Sequence, residues 1–517
     1  MKRRPSVAAA FCFWIAASSA LAAEDKTVTL LFTNDVESAY LPIPAYWLDD
    51  LDMIGGIAEM TSLINEIRES EPNTFLFDSG DVFTGSLAKL TEGALAFELM
   101  ISMGYDAMAI GNHEFEFGAE ILAWEKNRAP FPVLGANMFY RDTDHPFAPP
   151  HAILERNGVR IGIIGIMGQD AATAIIPSFI APLDVRVPAE AVKRSVDELR
   201  DDVDLIVLLT HQGKTAPMQT DAESDPRLQR DIDADIALAG AVDGIDVLFA
   251  GHADAGTPEP VVHPTTGTLI MQTYGQATHL GYLQLVLDET TGEITSYDGK
   301  LIPVDAARLA PDPIIFAKLE KYRAAYPEIL EKAGRTEARM NRRYVEESDV
   351  GNLFADILCE ASGADIGFIH SGSLRKDLPG GDVTLADILD TYPFVDDLVV
   401  LEMTGAQIER ALIQSLTLER GILQVSGIEV VYDMSRPERE RLVSVSRAGH
   451  PIAASDTFSV ALGGFLAEGG DLYDVFPETK TLRTVGKVSD NIIAYFRQND
   501  IVAVPRRGRQ TSVPGSQ

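Results

Sequence analysis

The sequence predicts an α/β fold in which buried strands alternate with helices. Five short apolar runs have the length and composition of buried strands, at residues 27–33, 74–77, 107–110, 205–209 and 245–250. Helical stretches separate these runs, as in layered α/β domains. Each run leads directly into side chains that can bind a metal ion. Because such folds place their chemistry on loops beyond the strand ends, we expect these distant segments to meet at one site.

The other elements of the first region follow in chain order. Apolar residues of segment 56–70 recur at helical spacing, as Ile57, Met60, Leu63, Ile64 and Ile67. Further helices are predicted at 93–103 and 188–201, and further strands at 158–166, 269–272 and 281–287. Together these elements predict one domain at residues 23–310.

A second region follows a polar helical stretch at residues 311–335. Ile314, Ile315 and Leu319 stand among charged residues there, so the stretch is predicted to link two regions, although it could equally pack on one. Residues 336–504 predict a second α/β domain, with helices at 351–361 and 405–416 and strands at 398–402, 427–433 and 458–462. Residues 505–517 are basic, polar and rich in Pro and Gly, which predicts a loose tail.

Residues 1–22 have the pattern of a cleaved signal peptide. The segment begins with Lys2, Arg3 and Arg4, continues with an apolar stretch at 7–17, and ends in Ala20-Leu21-Ala22. We therefore expect a secreted or periplasmic protein, with twin-arginine export as a less favoured alternative to ordinary secretion. No later apolar run approaches the ~18 residues that a membrane span requires.

The composition argues against one class of partner. The chain of 517 residues has a net charge of −34, whereas a general DNA or RNA binder needs clustered Lys and Arg against the phosphate backbone. An anionic substrate would need local positive charge from metal ions or a few arginines. We expect a small-molecule ligand and no nucleic acid polymer. Nothing in the sequence indicates the oligomeric state.

The side chains beyond the five strand runs form a candidate metal site. They are Asp35, Glu37, Asp81, Asn112, His211, His252 and Asp254. Carboxylates crowded in an apolar site repel one another strongly, and two divalent cations would remove that cost. A bridging carboxylate such as Asp81 would hold the ions roughly 3.5–4 Å apart. Taken singly, each residue is more often part of a turn, a cap or a satisfied core, so the ordered set carries the prediction.

Two sets of motifs follow this order along the chain. The first region carries Thr33-Asn34-Asp35, Gly80-Asp81-Val82-Phe83-Thr84-Gly85, Gly111-Asn112-His113-Glu114, Thr210-His211 and Gly251-His252. The second carries Val350-Gly351-Asn352-Leu353, Asp382-Val383-Thr384, Pro393-Phe394 and Phe465-Leu466-Ala467-Glu468-Gly469-Gly470-Asp471. The first set resembles the calcineurin-like metallophosphoesterases, and the whole chain resembles the two-domain 5′-nucleotidase family. The resemblance implies a four-layered α/β/β/α metallophosphoesterase domain and a C-terminal α/β substrate domain of the 5′-nucleotidase type.

The resemblance also implies two sets of metal ligands. One ion would take Asp81, Asn112, His211 and His252, and the other would take Asp35, Glu37, Asp81 and Asp254. In the second set, Glu37 and Asp254 replace neutral ligands that are usual in the family, and carboxylates suit hard cations. We therefore expect two divalent ions with Mn²⁺ favoured over Mg²⁺, Ca²⁺ or Zn²⁺. The alternative is that Glu37 misses the metal and water fills its place.

By the same resemblance, His113 lies beside the phosphate and pairs with an acidic residue, here Glu116. A carboxylate fixes the tautomer of an imidazole and raises its pKa. His113 would stabilise charge on the transferring phosphoryl group or protonate the leaving oxygen. Glu116 is one methylene longer than the family's usual aspartate, so the pair keeps its chemistry and changes its reach. The alternative is a histidine near the site with no direct role.

The resemblance assigns the substrate contacts to the second region. Phe394 and Phe465 match aromatic residues that sandwich a nucleobase. Without that match, two such phenylalanines would more often belong to the hydrophobic core. Asp471 matches a residue that holds ribose hydroxyls. Arg375 is expected to clamp a phosphate or carboxylate, and His370 replaces an amide that contacts the base edge.

Some arginines that other members carry are missing from the matched positions. Asp349 and Ala39 stand in their place. The loss of two cations argues against a diphosphate or triphosphate, so we expect a monophosphate ester or cyclic diester in preference to a polyphosphate.

The expected function is hydrolysis of nucleoside 5′-monophosphates to nucleoside and phosphate, by in-line attack of metal-activated water. A nucleotide-sugar, cyclic-nucleotide or sulfur-ester hydrolase of the same family stays open. So does an exported binding protein that has lost catalysis, although Asp81 and Asn112-His113 argue against that loss.

Overall fold

The first region is built on two mixed β-sheets. The computed structural model describes residues 26–45, 47–215, 231–288, 291–418 and 420–513, so the signal at 1–22 lies outside the described residues. The first sheet has, in spatial order, strands Ile294–Pro303, His279–Leu287, Lys26–Thr33, Thr74–Asp78, Ala107–Ala109 and Val133–Leu134. The second sheet has strands Val261–Val262, Leu269–Gln272, Val247–His252, Leu205–Gln212, Val159–Met167 and His151–Arg156.

The two sheets pack face to face. Leu30 and Phe32 of the first sheet and Val207 and Phe249 of the second belong to one buried cluster between them. The rings of Phe32 and Phe249 stack with their centroids 4.0 Å apart, which joins the sheets directly. Side chains alternate along a strand, and those on the outer faces are apolar as well, such as Leu31 of the first sheet and Leu208 of the second, so helices can pack there.

Helices cover both outer faces and complete the four layers that were expected. The first sheet is covered by Ile57–Ser70, Gly85–Thr91, Ala94–Met103, Ala119–Arg128 and Pro313–Ala325. The second is covered by Pro188–Leu199 and Asp233–Ala241. Short helices at Gln169–Ala172 and Pro177–Ile180 follow the second sheet, and strand pairs Ile43–Pro44 with Met53–Ile54 and Met138–Tyr140 with Leu183–Val185 lie outside both sheets.

The linking helix is shorter than the predicted stretch at 311–335. It spans Pro313–Ala325 and begins with the Asp312 carboxylate accepting from two backbone N–H groups. Pro327 follows, and the residue before a proline is disfavoured in helical conformation, so the helix ends there. Ile315 and Leu319 are buried in the cluster of the first region. The helix therefore packs on that region, the alternative that the sequence left open.

The second region is built on a five-stranded sheet with helices on both faces. Its strands are, in spatial order, Leu423–Ser426, Ile366–His370, Thr457–Gly463, Asp397–Thr404 and Lys480–Lys487. Helices Asp349–Ser362, Leu385–Thr391 and Val488–Gln498 pack on one face. Helices Gly405–Ser415 and Gly464–Ala467 pack on the other. Strand Lys332–Thr336 pairs with Gly381–Thr384 beside this core.

The prediction of a loose tail is wrong for residues 505–513. Gln510–Ser512 forms a strand that pairs in parallel with Glu429–Tyr432, in a small sheet that also contains Leu442–Arg447 and His450–Pro451. Arg509 forms a two-armed ion pair with Asp356, with both N···O distances 2.6 Å. The basic composition that suggested a tail therefore supplies contacts to the acidic surface of the domain.

None of the helices in the described part of the chain combines the length and hydrophobicity that crossing a lipid bilayer requires.

Candidate active site and metal centre

The carboxyl ends of the central strands of both sheets meet at one edge of the first region. Asp35 and Asp81 follow the strands Lys26–Thr33 and Thr74–Asp78, which run parallel in the first sheet. His211 and His252 lie at the ends of two parallel strands of the second sheet. Parallel strands present their ends at the same edge, so the distant segments converge as expected. The Asp35 carboxylate accepts from the backbone N–H of His252 at 2.8 Å, which links the two sheets at the site.

A cavity of about 140 Å³ lies between this edge and the second region. Its wall includes all but one of the residues proposed from the sequence, namely Asp35, Glu37, Asp81, Asn112, His113, Glu116, His252, Asp254, His370, Arg375, Phe394, Phe465 and Asp471. The exception, His211, lies directly behind the wall, with Nε2 3.0 Å from Asp81 Oδ2 and 3.1 Å from Asn112 Oδ1. The structure thus brings all of these residues to one place, while their roles stay predictions.

His211 is held in the orientation of a metal-binding histidine. Its Nδ1–H donates to the carbonyl oxygen of Ser79 at 2.8 Å. A ring nitrogen held in this way fixes the tautomer and leaves Nε2 to face a ligand. Nε2 points toward Asp81, and the ring of His252 lies with its centroid 5.0 Å away.

The donor set fits a divalent cation. Among the described residues, Asp81, His211 and His252 offer one ligand atom each within 4.8 Å of one another, and all three are buried. Burial alone would raise the pKa of Asp81, but His211 and His113 outweigh it and hold that pKa below its usual range. Burial lowers the pKa of His211, but Asp81 outweighs burial and raises it to about 10. A proton therefore occupies this imidazole without metal, and a bound cation would replace it.

The second predicted ligand set consists of carboxylates and contains no neutral ligand. Burial raises the pKa of Asp35 to about 7, which shows the cost of placing a carboxylate here without a cation. Glu37 Oε1 is paired with Arg375 of the second region and lies 3.4 Å from His113 Nε2. Burial raises the pKa of Glu37, but Arg375 and His113 together outweigh burial and keep that pKa below its usual value. Glu37 thus has a cationic partner of its own, and Asp254 completes the wall.

His113 and Glu116 form the expected pair despite the longer side chain. Nδ1 of His113 lies 2.7 Å from Glu116 Oε1. The other ring nitrogen faces the cavity, 2.9 Å from Arg375 Nη2 and 3.8 Å from Asp81 Oδ2. Burial lowers the pKa of His113, but Asp81 and Glu116 outweigh burial and raise that pKa well above its ordinary value. The Nε2 edge of the imidazole therefore points at the centre of the site.

Several ligand candidates have a backbone conformation that residues other than glycine rarely adopt. Their φ angles are positive: 48° for Asp35, 46° for Glu37, 63° for Asp81, 72° for His252 and 51° for Asp254. Each such conformation costs about 1–3 kcal/mol and persists only where the surroundings impose it. The short loops after the strands impose it here and turn the side chains inward.

The second region supplies the opposite wall. The ring of Phe394 lies against His113, with centroids 6.2 Å apart and planes 22° from parallel. His370 Nδ1 lies 3.4 Å from Asp471 Oδ2, while its buried Nε2 has no hydrogen-bond partner among the described residues. Phe465 also lines the cavity. A nucleobase sandwich between Phe394 and Phe465 stays a prediction.

The cavity has two cationic side chains that sequence analysis did not identify. Arg342 and Arg420 line it together with Arg375. Arg420 donates to the Asp170 carbonyl at 3.1 Å and lies 3.4 Å from His252 Nε2. Asp349, which stands where other members carry an arginine, is instead paired with Arg507.

Sequence reasoning missed Arg420 because a single arginine in a loop carries no pattern. Its role depends on which loops of the first region approach it, and no local signal reports that. Arg342 precedes the helix Asp349–Ser362 by a short loop and gives equally little signal.

Comparisons with known proteins agree with this geometry. The family model for calcineurin-like phosphoesterases matches residues 28–253, and the model for the 5′-nucleotidase C-terminal domain matches residues 329–478. Protein UshA of Yersinia enterocolitica is 27% identical over 503 residues, which cover 89% of this chain and 88% of that protein. A 5′-nucleotidase of Vibrio cholerae is 25% identical, with 93% and 92% covered. The crystal structure of a 5′-nucleotidase precursor from Thermus thermophilus superposes with a TM-score of 0.82 at 25% identity, covering 94% of this chain and 99% of that one.

The fold and the first matched region define a calcineurin-like metallophosphoesterase, a class that binds divalent metal ions. With its second matched region, the chain belongs to the two-domain 5′-nucleotidase family. The resemblance drawn from the motifs is confirmed, and the chain is a phosphoric ester hydrolase of the 5′-nucleotidase type.

Proposed function

We propose that the protein is an exported, metal-dependent hydrolase that converts nucleoside 5′-monophosphates to nucleoside and phosphate. The observation that carries the proposal is the shared cavity, in which metal-type donors of the first region face aromatic and polar side chains of the second. Relatives named 5′-nucleotidase, which match over more than nine-tenths of this chain, support the choice of substrate.

The residues divide the work between the two walls. Divalent cations held by Asp81, Asn112, His211 and His252, and by the carboxylates of the second set, would supply Lewis-acid stabilisation and activation of water. His113 Nε2 faces the space between Asp81 and Arg375, so the imidazole is placed to stabilise charge on a phosphoryl group or to protonate the leaving oxygen. Glu116 holds its Nδ1 proton and thereby its orientation.

The second wall would orient the leaving group. Phe465 offers an apolar face for a base, and Asp471 offers a carboxylate for hydroxyl groups. His370 Nε2 is buried beside them and would gain a partner from a polar substrate atom. A nucleoside offers a partner to each of these three side chains, namely a base, hydroxyl groups and polar base atoms.

A second candidate substrate has its own support. Arg342 and Arg420 add positive charge beyond Arg375, which suits a nucleotide with a second anionic group, such as a nucleotide sugar.

Export rests on residues 1–22 alone. Cellular fractionation followed by N-terminal sequencing tests it, and a cytoplasmic protein that retains Met1 would contradict it.

The test of activity is a substrate panel assayed with Mn²⁺ on the full-length mature chain. It contains nucleoside monophosphates, cyclic nucleotides, nucleotide sugars and an aryl phosphate. We expect AMP to be turned over, and we expect His113→Ala to lose about 10²–10⁴-fold in kcat, the usual contribution of a positioned acid–base group. The matched control is His145→Ala, which removes an exposed histidine. Absence of turnover on every ester, or an unaffected His113→Ala, would overturn the proposal.

A further inference from the structure

Thr84 has a strained backbone conformation. Its φ of 143° and ψ of 165° lie in a region that is essentially reserved for glycine. Threonine is β-branched, which makes such a conformation a genuine outlier. The residue is buried, with 5% of its surface exposed. Such a conformation persists only where the surrounding structure imposes it.

The hydroxyl of Thr84 does not cap the helix that the residue precedes. Thr84 directly precedes the helix Gly85–Thr91, where a threonine hydroxyl ordinarily accepts from a backbone N–H of the first turn. No such bond forms. The Thr84 hydroxyl donates instead to Glu116 Oε1 at 2.6 Å. The distortion therefore coincides with a hydroxyl directed away from the helix and toward the carboxylate.

The oxygen that Thr84 contacts is the one that holds the histidine. Glu116 Oε1 accepts from the Thr84 hydroxyl at 2.6 Å and lies 2.7 Å from His113 Nδ1. Glutamate has one more rotatable bond than aspartate, so its carboxylate needs a second contact to stay in one orientation. The hydroxyl supplies that contact, since a short bond to a carboxylate is strong and directional.

We propose that Thr84 is a positioning residue for His113 that acts through Glu116, an inference that rests on the proposed function. It lies outside the cavity wall as the described residues form it, so it does not touch substrate. Its hydroxyl fixes the Glu116 carboxylate, the carboxylate fixes the imidazole, and Nε2 is thereby directed at the phosphoryl group. Thr84 therefore affects the rate of the chemical step and leaves substrate binding unchanged.

The test compares three substitutions in the full-length mature enzyme, assayed with Mn²⁺ on AMP and on p-nitrophenyl phosphate. Thr84→Val keeps the shape and removes the hydroxyl, so we expect kcat to fall at least about tenfold with KM within about twofold. Thr84→Ser keeps the hydroxyl and is expected to stay within about threefold of wild type in kcat. Thr84→Gly removes the hydroxyl and relieves the backbone, so we expect a higher Tm with a kcat as low as that of the valine variant.

A double-mutant cycle separates positioning from general damage. In a His113→Ala background, Thr84→Val should change kcat by less than about twofold, because the group it positions is already gone. An equal loss in both backgrounds, or a glycine variant with wild-type kcat, would overturn the inference. If the valine variant fails to fold, the serine and glycine variants decide it alone.

The outcomes also distinguish this inference from the proposed function. A wild type that hydrolyses no phosphate ester overturns the function and, with it, the role of Thr84. An active wild type whose valine and glycine variants keep their kcat overturns the role of Thr84 alone.

Discussion

Glu37 is contacted by both regions of the molecule. Its backbone N–H donates to the Asp81 carbonyl at 3.0 Å, which anchors it to the metal centre. Its carboxylate is paired with Arg375, which belongs to the other region. A carboxylate at this position can bind a hard cation or pair with an arginine. The identity of this one side chain therefore bears on both metal choice and the contact between the regions.

Replacing Glu37 by histidine should shift the metal content toward zinc. The change exchanges a carboxylate for an imidazole, which zinc favours, and removes the partner of Arg375. We expect wild-type protein purified without chelator to hold mainly Mn²⁺, and Glu37→His to hold a larger fraction of Zn²⁺, as measured by mass spectrometry of the metals. Glu69→His, at an exposed position, is the control and should match wild type. Stoichiometric zinc in both sites of the wild type would refute the expectation.

The ligand candidates could be predicted from the sequence because each lies at the end of a strand with an apolar pattern or shortly after it. Asp81 and His252 are examples, since local sequence places them at strand ends and parallel pairing brings the ends together. Arg420 and Thr84 could not be found in this way. Arg420 reaches the site only through the contact between regions, and the direction of the Thr84 hydroxyl depends on backbone angles that the sequence does not report.

Among the secondary-structure elements, the strand Gln510–Ser512 is the clearest departure from expectation. The sequence there is polar and lacks the alternation that identifies a strand. Its partner Glu429–Tyr432 lies far away in the chain. Long apolar elements, such as the helix Ile57–Ser70, were predicted almost to the residue. Pattern-based reasoning therefore finds elements that bury apolar surface and misses those held by backbone pairing and ion pairs.

Truncation after Arg506 should lower the stability of the second region. It removes the strand Gln510–Ser512 and the pairs of Arg507 with Asp349 and Arg509 with Asp356. Each lost hydrogen bond to a charged group contributes about 1.5–3 kcal/mol, less where solvent screens it, so we expect a lower Tm in calorimetry. Truncation after Val513 leaves these contacts in place and serves as the control. Equal Tm values for the two truncated proteins would show that the strand adds nothing.

At the scale of the whole molecule, the catalytic cavity exists only where the two regions touch. Several hydrogen bonds cross between them. Lys89 Nζ donates to the Phe394 carbonyl at 2.7 Å and to Ser489 Oγ at 2.8 Å. Asp471 N donates to the Thr173 carbonyl at 2.8 Å, and the Glu468 carboxylate accepts from Ser178 N at 2.7 Å. These contacts fix the distance between the two walls of the cavity.

The buried Lys89 should make the free energy of unfolding depend on pH in the alkaline range. Burial lowers the pKa of Lys89 from 10.5 to about 8. Between these values the unfolded chain binds the proton and the folded chain does not, so stability rises with pH there; below pH 8 both states are protonated. We expect the free energy of unfolding of wild type, relative to Lys89→Met, to rise by on the order of 3 kcal/mol from pH 8 to 10.5.

Urea titrations at a series of pH values measure this difference. Lys193→Met, which removes an exposed lysine on a helix, is the matched control and should show no such rise. A Lys89→Met variant that follows wild type in parallel across the whole pH range would refute the assignment.

The left-handed loops that carry Asp35, Glu37, Asp81, His252 and Asp254 have a consequence for engineering. Glycine adopts these conformations freely, so a change to glycine there would relieve backbone strain while it removes a predicted metal ligand. Directed evolution for heat resistance alone would therefore reward inactive clones that carry such changes. Selection for a more thermostable enzyme must therefore measure turnover in every round, and it should leave these loops unchanged while other positions vary.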